Sequence, residues 1–254
     1  MPQLQRLAIA SQQLHESKID LTPEQQHYLG RVLRLQGGDR FIAMNGQGQW
    51  WLAELQDSSL AHIIEPLEAS TELPIPVVLM VAPTKGNHFD QVVRCATELG
   101  VTSLVPVLSD RTVLKPSPQK SVRWQRIATE AAEQSCRQVI PSILAPMSFA
   151  AALHWSQREH PAAAQYICVT AAGATGLLGT LERTMGIIVM TGPEGGWTPQ
   201  EEQQAITAGY QPVSLGRRIL RAATAPIAAM ALVAAHLDQQ DAHLFKENPG
   251  ESGY

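Results

Sequence analysis

The segment Ile187–Glu202, IIVMTGPEGGWTPQEE, carries the clearest structural signal in the chain. Its first four residues are apolar, as in a strand covered on both faces, and a loop with three glycines and a proline follows. Thr198 suits a helix N-cap and Pro199 the first helical position, before two glutamates that favour the helix's positive end. Open α/β sheets bind ligands at the carboxyl ends of their strands, so this loop is a candidate ligand site.

The loop matches neither the dinucleotide-binding pattern GxGxxG nor the phosphate-binding pattern GxxxxGK[ST]. Its two early glutamates also make a poor phosphate cradle. On spacing alone, a ligand-binding loop and a tight strand-to-helix turn without a ligand stay equally open.

The sequence on both sides of this segment predicts alternating strands and helices, which is typical of a parallel sheet with helices on both faces. The other predicted strands are Val77–Ala82, Val101–Leu108, Tyr166–Thr170 and Gln211–Leu215. The predicted helices are Asn87–Leu99, Ser121–Gln138, Pro199–Ala208 and Ala223–Gln239.

The first 70 residues have a different pattern, typical of a small β-barrel. A helix is predicted at Pro23–Leu35, and short strands are predicted at Phe41–Met44, Trp50–Leu55 and Leu60–Glu65. We expect a linker at Glu68–Pro76 and a disordered tail at 241–254.

A second segment, Val213–Met230, places three arginines directly after a predicted strand. Arg217, Arg218 and Arg221 fit either a solvated charged face or an anion site. Because they come directly after a predicted strand, they are expected to lie at the same edge of the sheet as the glycine loop. Together the two loops indicate an adenosine-type cofactor beside an anionic substrate.

Charge, cysteine and histidine spacing, and the distribution of apolar residues limit the possible classes of protein. The net charge of −4 neither indicates nor excludes nucleic acid, because Lys85–Arg137 holds eight basic residues against five acidic ones. The three cysteines lack the spacing of a zinc site or a disulfide framework, and the eight histidines show no metal or triad grouping. No signal peptide or membrane-spanning run is indicated, so we expect a cytoplasmic protein without a metal.

Several motifs occur in the order found in one family. They are HYLGRVLR (27–34), ATELGV (96–101) with SDR (109–111), RW (123–124) leading to EAAEQS (130–135) and Arg137, GPEGG (192–196), and LGRRILR (215–221). The chain thereby closely resembles the ribosomal RNA uridine-N3 methyltransferases, the RsmE family of the SPOUT class. The resemblance runs to about Leu237.

This resemblance implies an α/β fold with a C-terminal trefoil knot (76–240) behind a PUA-like, RNA-binding β-barrel domain (1–70). It implies a homodimer that uses S-adenosylmethionine to methylate N3 of a uridine in 16S rRNA of the small ribosomal subunit. Membrane and metal are not expected as partners.

The resemblance and the residue chemistry also assign roles. Catalytic roles fall to Arg111, Arg218 and Arg221, because a protonated arginine stabilises a uracil anion although it cannot act as a base. The predicted RNA-binding residues are Arg31, Arg34, Arg111, Arg123 and Arg137. The predicted cofactor-binding residues are Thr191, Gly192, Pro193, Glu194, Gly195, Gly196, Leu215, Gly216, Arg218, Ile219, Leu220 and Thr224. For Glu194, a contact to a ligand and a cap on a loop amide stay equally open.

Two positions depart from the family. Where the family usually has Thr-Glu-Thr after the arginine motif, this chain has Ala222-Ala223-Thr224, and Cys95 stands where the family often has lysine. The alternative function is therefore a catalytically weakened RNA-binding or ribosome-assembly factor on the same fold. A nucleotide-dependent oxidoreductase on an ordinary doubly wound sheet is a third hypothesis, and the missing GxGxxG counts against it.

Overall fold

The computed structural model describes residues 4–171 and 173–247, with side chains described as far as Gln240. The chain divides into two compact units. The first comprises the residues up to Glu72 together with Thr129–Ile140, and the second comprises Leu73–Ala128 and the residues from Pro141 onward.

The first unit is built on a six-stranded sheet in the order β1-β4-β5-β6-β3-β2. The strands are β1 (Arg6–Ala8), β2 (Leu14–His15), β3 (Lys18–Asp20), β4 (Arg40–Met44), β5 (Trp50–Leu55) and β6 (Leu60–Leu67). Each strand contributes an apolar residue to one core, as expected for the predicted barrel: Leu7, Leu14, Ile19, Phe41, Ala53 and Ala61.

The predicted helix Pro23–Leu35 is only partly correct. A short helix, α1, covers Pro23–His27, and the chain continues as a π-helical turn over Tyr28–Val32. The Leu33 amide donates to the Tyr28 carbonyl at 2.9 Å, an i to i+5 bond. The helical turn therefore ends three residues before the predicted end, and Arg34 takes φ 60°, a left-handed conformation that does not continue a helix.

The second unit contains a parallel sheet in the order β10-β8-β7-β13-β11-β14-β12, with β9 also paired to β8. Its strands are β7 (Val77–Val81), β8 (Ser103–Leu108), β9 (Ser142–Ile143), β10 (Met147–Ser148), β11 (Ala164–Cys168), β12 (Thr175–Gly176), β13 (Ile187–Thr191) and β14 (Gln211–Ser214). Its helices are α2 (His88–Glu98), α3 (Pro118–Gln134) as far as Ala128, α4 (Phe149–Glu159), α5 (Leu177–Thr180), α6 (Pro199–Thr207) and α7 (Thr224–Glu247).

Helices cover both faces of this sheet, which confirms the predicted α/β architecture. On one face, side chains of α4 and α6 such as Phe149 and Ala205 form a core with Met80 and Met190. Side chains alternate along a strand, so the remaining strand positions face the other way. On that side α7 packs against α2, β7 and β13. None of the described helices is long and apolar enough to cross a membrane.

Residues 129–140 were expected in the same domain as the sheet, whereas the structure groups them with the first unit. The Glu133 carboxylate accepts a hydrogen bond from the Ala8 amide at 2.7 Å. Arg137, only 3% exposed, forms an ion pair with Glu72. Helical periodicity in the sequence carries no information about which unit the end of a long helix contacts.

Several predicted boundaries of the second unit were wrong. Helix α3 begins and ends earlier than predicted, and Cys136 takes φ 62° directly after it. Strand β11 covers Ala164–Cys168 and so begins and ends two residues earlier than predicted. Val169 and Thr170 therefore lie in the loop that follows. The helix α4 was not predicted, although Ser148 accepts a hydrogen bond from the Ala151 amide as its N-cap.

The predicted disordered tail begins too early. Helix α7 continues through 241–247, a stretch assigned to the tail. Residues 248–254 lie outside the described part of the chain.

Candidate active site

A cleft of about 1300 Å³ lies at the carboxyl edge of the parallel sheet. Its walls come from the connections that follow β7, β11, β13 and β14, with Arg111 added from the connection after β8. All of these residues belong to the second unit. Ligand pockets measure roughly 300–1,000 Å³, so the cleft has room for more than one small ligand.

The glycine loop after β13 packs tightly on Trp197. The indole Nε1 donates to the Cys168 carbonyl at 3.1 Å, and the ring lies 5.2 Å from the Phe149 ring. A Cβ added at Gly192 would lie 3.1 Å from the indole, closer than most real contacts. Glycine at this position therefore lets the loop lie directly on the tryptophan.

Arg111 also holds this loop. Its Nη1 donates to the Gly195 carbonyl at 2.8 Å and to the Trp197 carbonyl at 3.1 Å. A Cβ at Gly195 would meet the Arg111 Cδ at 3.2 Å. Arg111 was predicted as a catalytic and RNA-binding residue, and these contacts make it a support of the loop.

Glu201 joins the loop to the neighbouring connection. Its side chain is buried, and its Oε2 accepts from the Thr198 amide at 2.8 Å, as in the predicted helix cap. The other oxygen accepts from the Asp110 amide at 2.8 Å. Since Asp110 precedes Arg111, one acid and one arginine tie the connection after β8 to the start of α6.

Glu194 is exposed on the rim of the cleft. Its Oε1 accepts a hydrogen bond from the Lys85 amide at 3.4 Å, a long contact. This is the loop-amide interaction that the sequence left open. The exposure of the carboxylate leaves it accessible to a ligand as well.

The arginine segment after β14 forms the opposite wall. Gly216 has φ 120°, which favours glycine, and the segment ends where the Arg221 carbonyl accepts the Thr224 amide at 2.8 Å. Arg217, Arg218 and Arg221 are all exposed, and none of them forms an ion pair within the described part of the chain. Three unneutralised cations at a cleft favour an anionic ligand.

All twelve residues predicted to bind a cofactor line this cleft. Two further walls were missed. The connection after β11 lines the cleft with Cys168–Ala171, Gly173, Ala174 and Gly176, and its glycines after a predicted strand were an available signal. Thr84, His88 and Gln91 also line the cleft, and they lie in no recognised motif.

Two buried hydroxyl groups in the cleft walls lack partners. The Oγ1 atoms of Thr84 and Thr191 make no hydrogen bond with any described residue. Buried polar groups are nearly always satisfied, and leaving one unsatisfied costs about 1–3 kcal/mol. Both residues line the cleft, so each hydroxyl group can take part in binding a ligand or a water there.

The predicted RNA-binding arginines are divided between the two units. Arg31 and Arg34 are exposed in the first unit. In the second unit, Arg123 pairs with Asp90 at 2.7 Å. Arg137 is 3% exposed and pairs with Glu72, so its guanidinium does not present the surface that the predicted contact with RNA requires. The described residues contain no group of three or more His, Cys, Asp or Glu side chains suited to a metal ion.

Cys168 is half-buried in the cleft wall, and desolvation makes its thiol unreactive. Desolvation raises the pKa of the Cys168 thiol to about 12. Thiolates and not thiols react with iodoacetamide, so at pH 8 we expect Cys168 to stay unmodified in the folded protein. Peptide mass spectrometry after alkylation checks this, with the urea-unfolded chain as control, where Cys168 should be labelled. Equal labelling in both samples would contradict the burial.

Comparison with known proteins places these features in a family. A family model described as an RNA methyltransferase domain matches residues 71–234, and one described as an RNA methyltransferase PUA domain matches residues 21–64. The second match confirms the predicted PUA-like domain.

Individual relatives agree with both matches. Ribosomal RNA small subunit methyltransferase E from Synechocystis sp. is 45% identical over 92% of this chain and 78% of its own length. The protein of the same name from Bacillus subtilis is 30% identical over 89% of this chain and 94% of its length.

A solved structure has the same fold with a ligand bound. The crystal structure of ribosomal RNA small subunit methyltransferase E from Neisseria gonorrhoeae, bound to S-adenosyl methionine, has a TM-score of 0.83 to this chain. It is 31% identical, and the match covers 92% of this chain and 98% of that one.

Proposed function

The chain belongs to the RNA methyltransferase family, and from that premise we propose that it uses S-adenosylmethionine to methylate N3 of a uridine in 16S rRNA of the small ribosomal subunit. One observation carries the proposal. The cleft combines a glycine loop with three arginines that form no ion pair with a described residue, in a chain 31% identical to a relative solved with S-adenosyl methionine.

The residues of the cleft fit this cofactor. The loop Gly192–Gly196 would hold it through backbone groups, because a side chain at Gly192 would collide with Trp197. The segment Leu215–Leu220 and the connection after β11 would enclose it from the other sides. The buried, unsatisfied Thr191 hydroxyl supplies a hydrogen-bonding group there.

The bound cofactor supplies a methyl group on a positively charged sulfur. The protein must therefore align the acceptor nitrogen and stabilise the negative charge that N3 acquires as its proton leaves. Arg218 and Arg221 carry unneutralised charge at the cleft and suit the second task. Arg111 contributes by holding the glycine loop.

The direct test is methyl transfer from labelled S-adenosylmethionine to small subunits that lack this modification, with the nucleosides resolved by mass spectrometry. We expect labelled N3-methyluridine. Transfer to another nucleoside would overturn the assigned position, and binding of cofactor without any transfer would overturn the enzymatic assignment.

That last outcome would favour the second candidate, a catalytically weakened ribosome-assembly factor. Ala223 motivates it, since this residue lines the cleft where the family has a carboxylate. Restoring the acid with Ala223→Glu should then restore transfer. Transfer by the unchanged protein would show that this carboxylate is dispensable.

The resemblance further leads us to propose a trefoil knot, a homodimer and a cytoplasmic location. A dimer would provide cover for Ile219, which lines the cleft and is 85% exposed in the single chain. Sedimentation equilibrium measures the dimer directly. A monomer at micromolar concentration would contradict it.

Removing the Arg111 side chain should weaken cofactor binding. Arg111→Ala deletes two hydrogen bonds to the glycine loop, each worth about 1 kcal/mol, so we expect the Kd for S-adenosylmethionine to rise by roughly tenfold or more in calorimetry. Arg111→Lys should retain part of the affinity, because an ammonium can donate to both carbonyls. Arg123→Ala is the control, because Arg123 pairs with Asp90 outside the cleft. An unchanged Kd in Arg111→Ala would contradict the supporting role.

A further inference from the structure

The connection between β7 and α2 forms a wall of the cleft that the proposed cofactor cradle does not use. Thr84, His88 and Gln91 line the cleft from this connection and the first turn of α2. Strand β7 lies beside β13, with Val81 opposite Thr191. The three residues therefore adjoin the glycine loop on the side away from β11 and β14.

Thr84 supplies an unsatisfied group at this wall. Its side chain is only 2% exposed, and its hydroxyl makes no hydrogen bond with any described residue. A hydroxyl can donate one hydrogen bond and accept two. The position is thus suited to a polar ligand atom that the protein itself does not provide.

His88 and Gln91 extend the same wall. They are three residues apart on α2 and therefore lie on one face of the helix. Both are exposed and line the cleft, whereas Phe89, Val92 and Val93 of the same helix are buried. The exposed face thus presents an imidazole and an amide to the cleft.

We propose that Thr84, His88 and Gln91 form the subsite for the acceptor base, and that His88 takes the N3 proton of a uracil-type imide. The inference rests on the proposed function and assigns the substrate side of the same cleft. The uracil edge offers oxygen acceptors on both sides of the N3–H donor. The Gln91 amide and the Thr84 hydroxyl can donate to those oxygens, and an unprotonated imidazole nitrogen can accept from N3.

The other ionisable groups of the cleft suit this task less well. Arginine stays protonated, and burial raises the pKa of Cys168 to about 12, so neither is a proton acceptor near neutral pH. Carboxylates are weak bases, whereas histidine is the side chain that ordinarily titrates near neutrality. The charged or titratable groups beside His88 or in the cleft walls are Lys85, Asp90, Arg111, Cys168, Glu194, Glu202, Arg217, Arg218 and Arg221.

The step balances without any further reactant. The N3 proton passes to the ring nitrogen of His88, and the N3 electron pair forms a bond to the methyl carbon. The carbon–sulfur bond breaks, and sulfur keeps its electron pair. The imidazolium then returns the proton to water.

The same arrangement predicts discrimination between bases. Cytosine presents an amino donor where uracil has O4, and its N3 carries no proton. The Gln91 amide can rotate to accept from that amino group, but cytosine has no N3 proton for His88 to take. Uridine is therefore the substrate class that the three side chains match.

The test uses the full-length protein and two kinds of small subunit. His88→Gln should lower kcat at pH 7 by about 100-fold or more, the usual contribution of a positioned acid or base. The defect should shrink as the pH rises, since N3 then loses its proton without help. It should also shrink on subunits that contain 5-fluorouridine, because fluorine makes N3 more acidic. Binding of S-adenosylmethionine, measured by calorimetry, should not change.

Thr84→Val separates recognition from folding. Because the hydroxyl is buried and unsatisfied, its removal should leave the Tm unchanged or raise it. The value of kcat/KM for small subunits should fall by about tenfold, as for the loss of one hydrogen bond to the substrate. His154→Gln on α4 is the control for His88, because His154 is exposed outside the cleft.

Three outcomes would overturn the inference. If His88→Gln keeps more than about a third of the wild-type kcat, His88 is not the proton acceptor. If the fall in kcat of His88→Gln is the same on subunits with uridine and with 5-fluorouridine at every pH, the role of His88 is not proton removal. If the wild-type protein transfers no methyl group, the proposed function fails and the inference fails with it; in the first two cases the proposed function stands.

Discussion

Replacing Arg221 by glutamine is expected to lower kcat for methyl transfer by about 100- to 1,000-fold, the usual cost of deleting one group that stabilises charge in the transition state. The Arg221 side chain is exposed at the cleft and forms no ion pair with a described residue, so its charge is available to the substrate. Its backbone carbonyl, and not its side chain, accepts the amides that begin α7. The substitution should therefore leave the fold intact.

The kinetics distinguish this role from simple binding. The KM for S-adenosylmethionine should change little, because Arg221 acts on the acceptor, and Arg221→Lys should recover part of kcat by restoring the charge. Arg183→Gln is the matched control, since Arg183 is exposed outside the cleft. A rise in KM with unchanged kcat would instead assign Arg221 to uniform substrate binding.

The second large effect is on stability. Glu72→Ala should lower the free energy of unfolding by about 3 kcal/mol, the usual cost of removing one partner of a buried ion pair. The Glu72 carboxylate pairs with the buried Arg137 guanidinium through Nε at 3.1 Å. It also accepts from the amides of Gln138 at 2.9 Å and Val139 at 3.1 Å. The substitution therefore removes the acceptor of several buried or half-buried donors at once.

Urea unfolding measures this effect through the midpoint and the extrapolated free energy. Arg158→Ala is the control, because Arg158 and Glu159 form an exposed ion pair that should contribute at most about 1 kcal/mol. Similar losses of unfolding free energy in Glu72→Ala and Arg158→Ala would contradict the stabilising role of the contacts between Glu72 and residues 137–139.

The glycine loop was predictable because its signals are local. A buried strand, three glycines and the cap at Thr198 each act within a few residues, and the structure contains the strand, the capped helix and the cleft at this edge. The arginine segment was predictable for the same reason. Its place after β14 follows from the apolar strand before it and the alanine-rich helix after it.

The roles of individual arginines were not predictable in this way. Arg111 and Arg137 both lie in the basic-rich segment Lys85–Arg137, yet one supports the glycine loop and the other is buried in an ion pair. Their acceptors, the Gly195 carbonyl and Glu72, are distant in sequence. A charged residue in a sequence does not specify whether it meets a ligand or a carboxylate of its own chain.

The sequence by itself determined the class of sheet, the two-part organisation and the family, and it predicted which edge of the sheet carries the candidate site. These depend on hydrophobic periodicity, glycine and proline positions and ordered motifs, all of which are readable along the chain. Only the tertiary structure decided that residues 129–140 join the first unit and that Thr84, His88 and Gln91 reach the cleft. Those facts depend on contacts between strands and helices far apart in sequence, and such contacts exist only once the chain has folded.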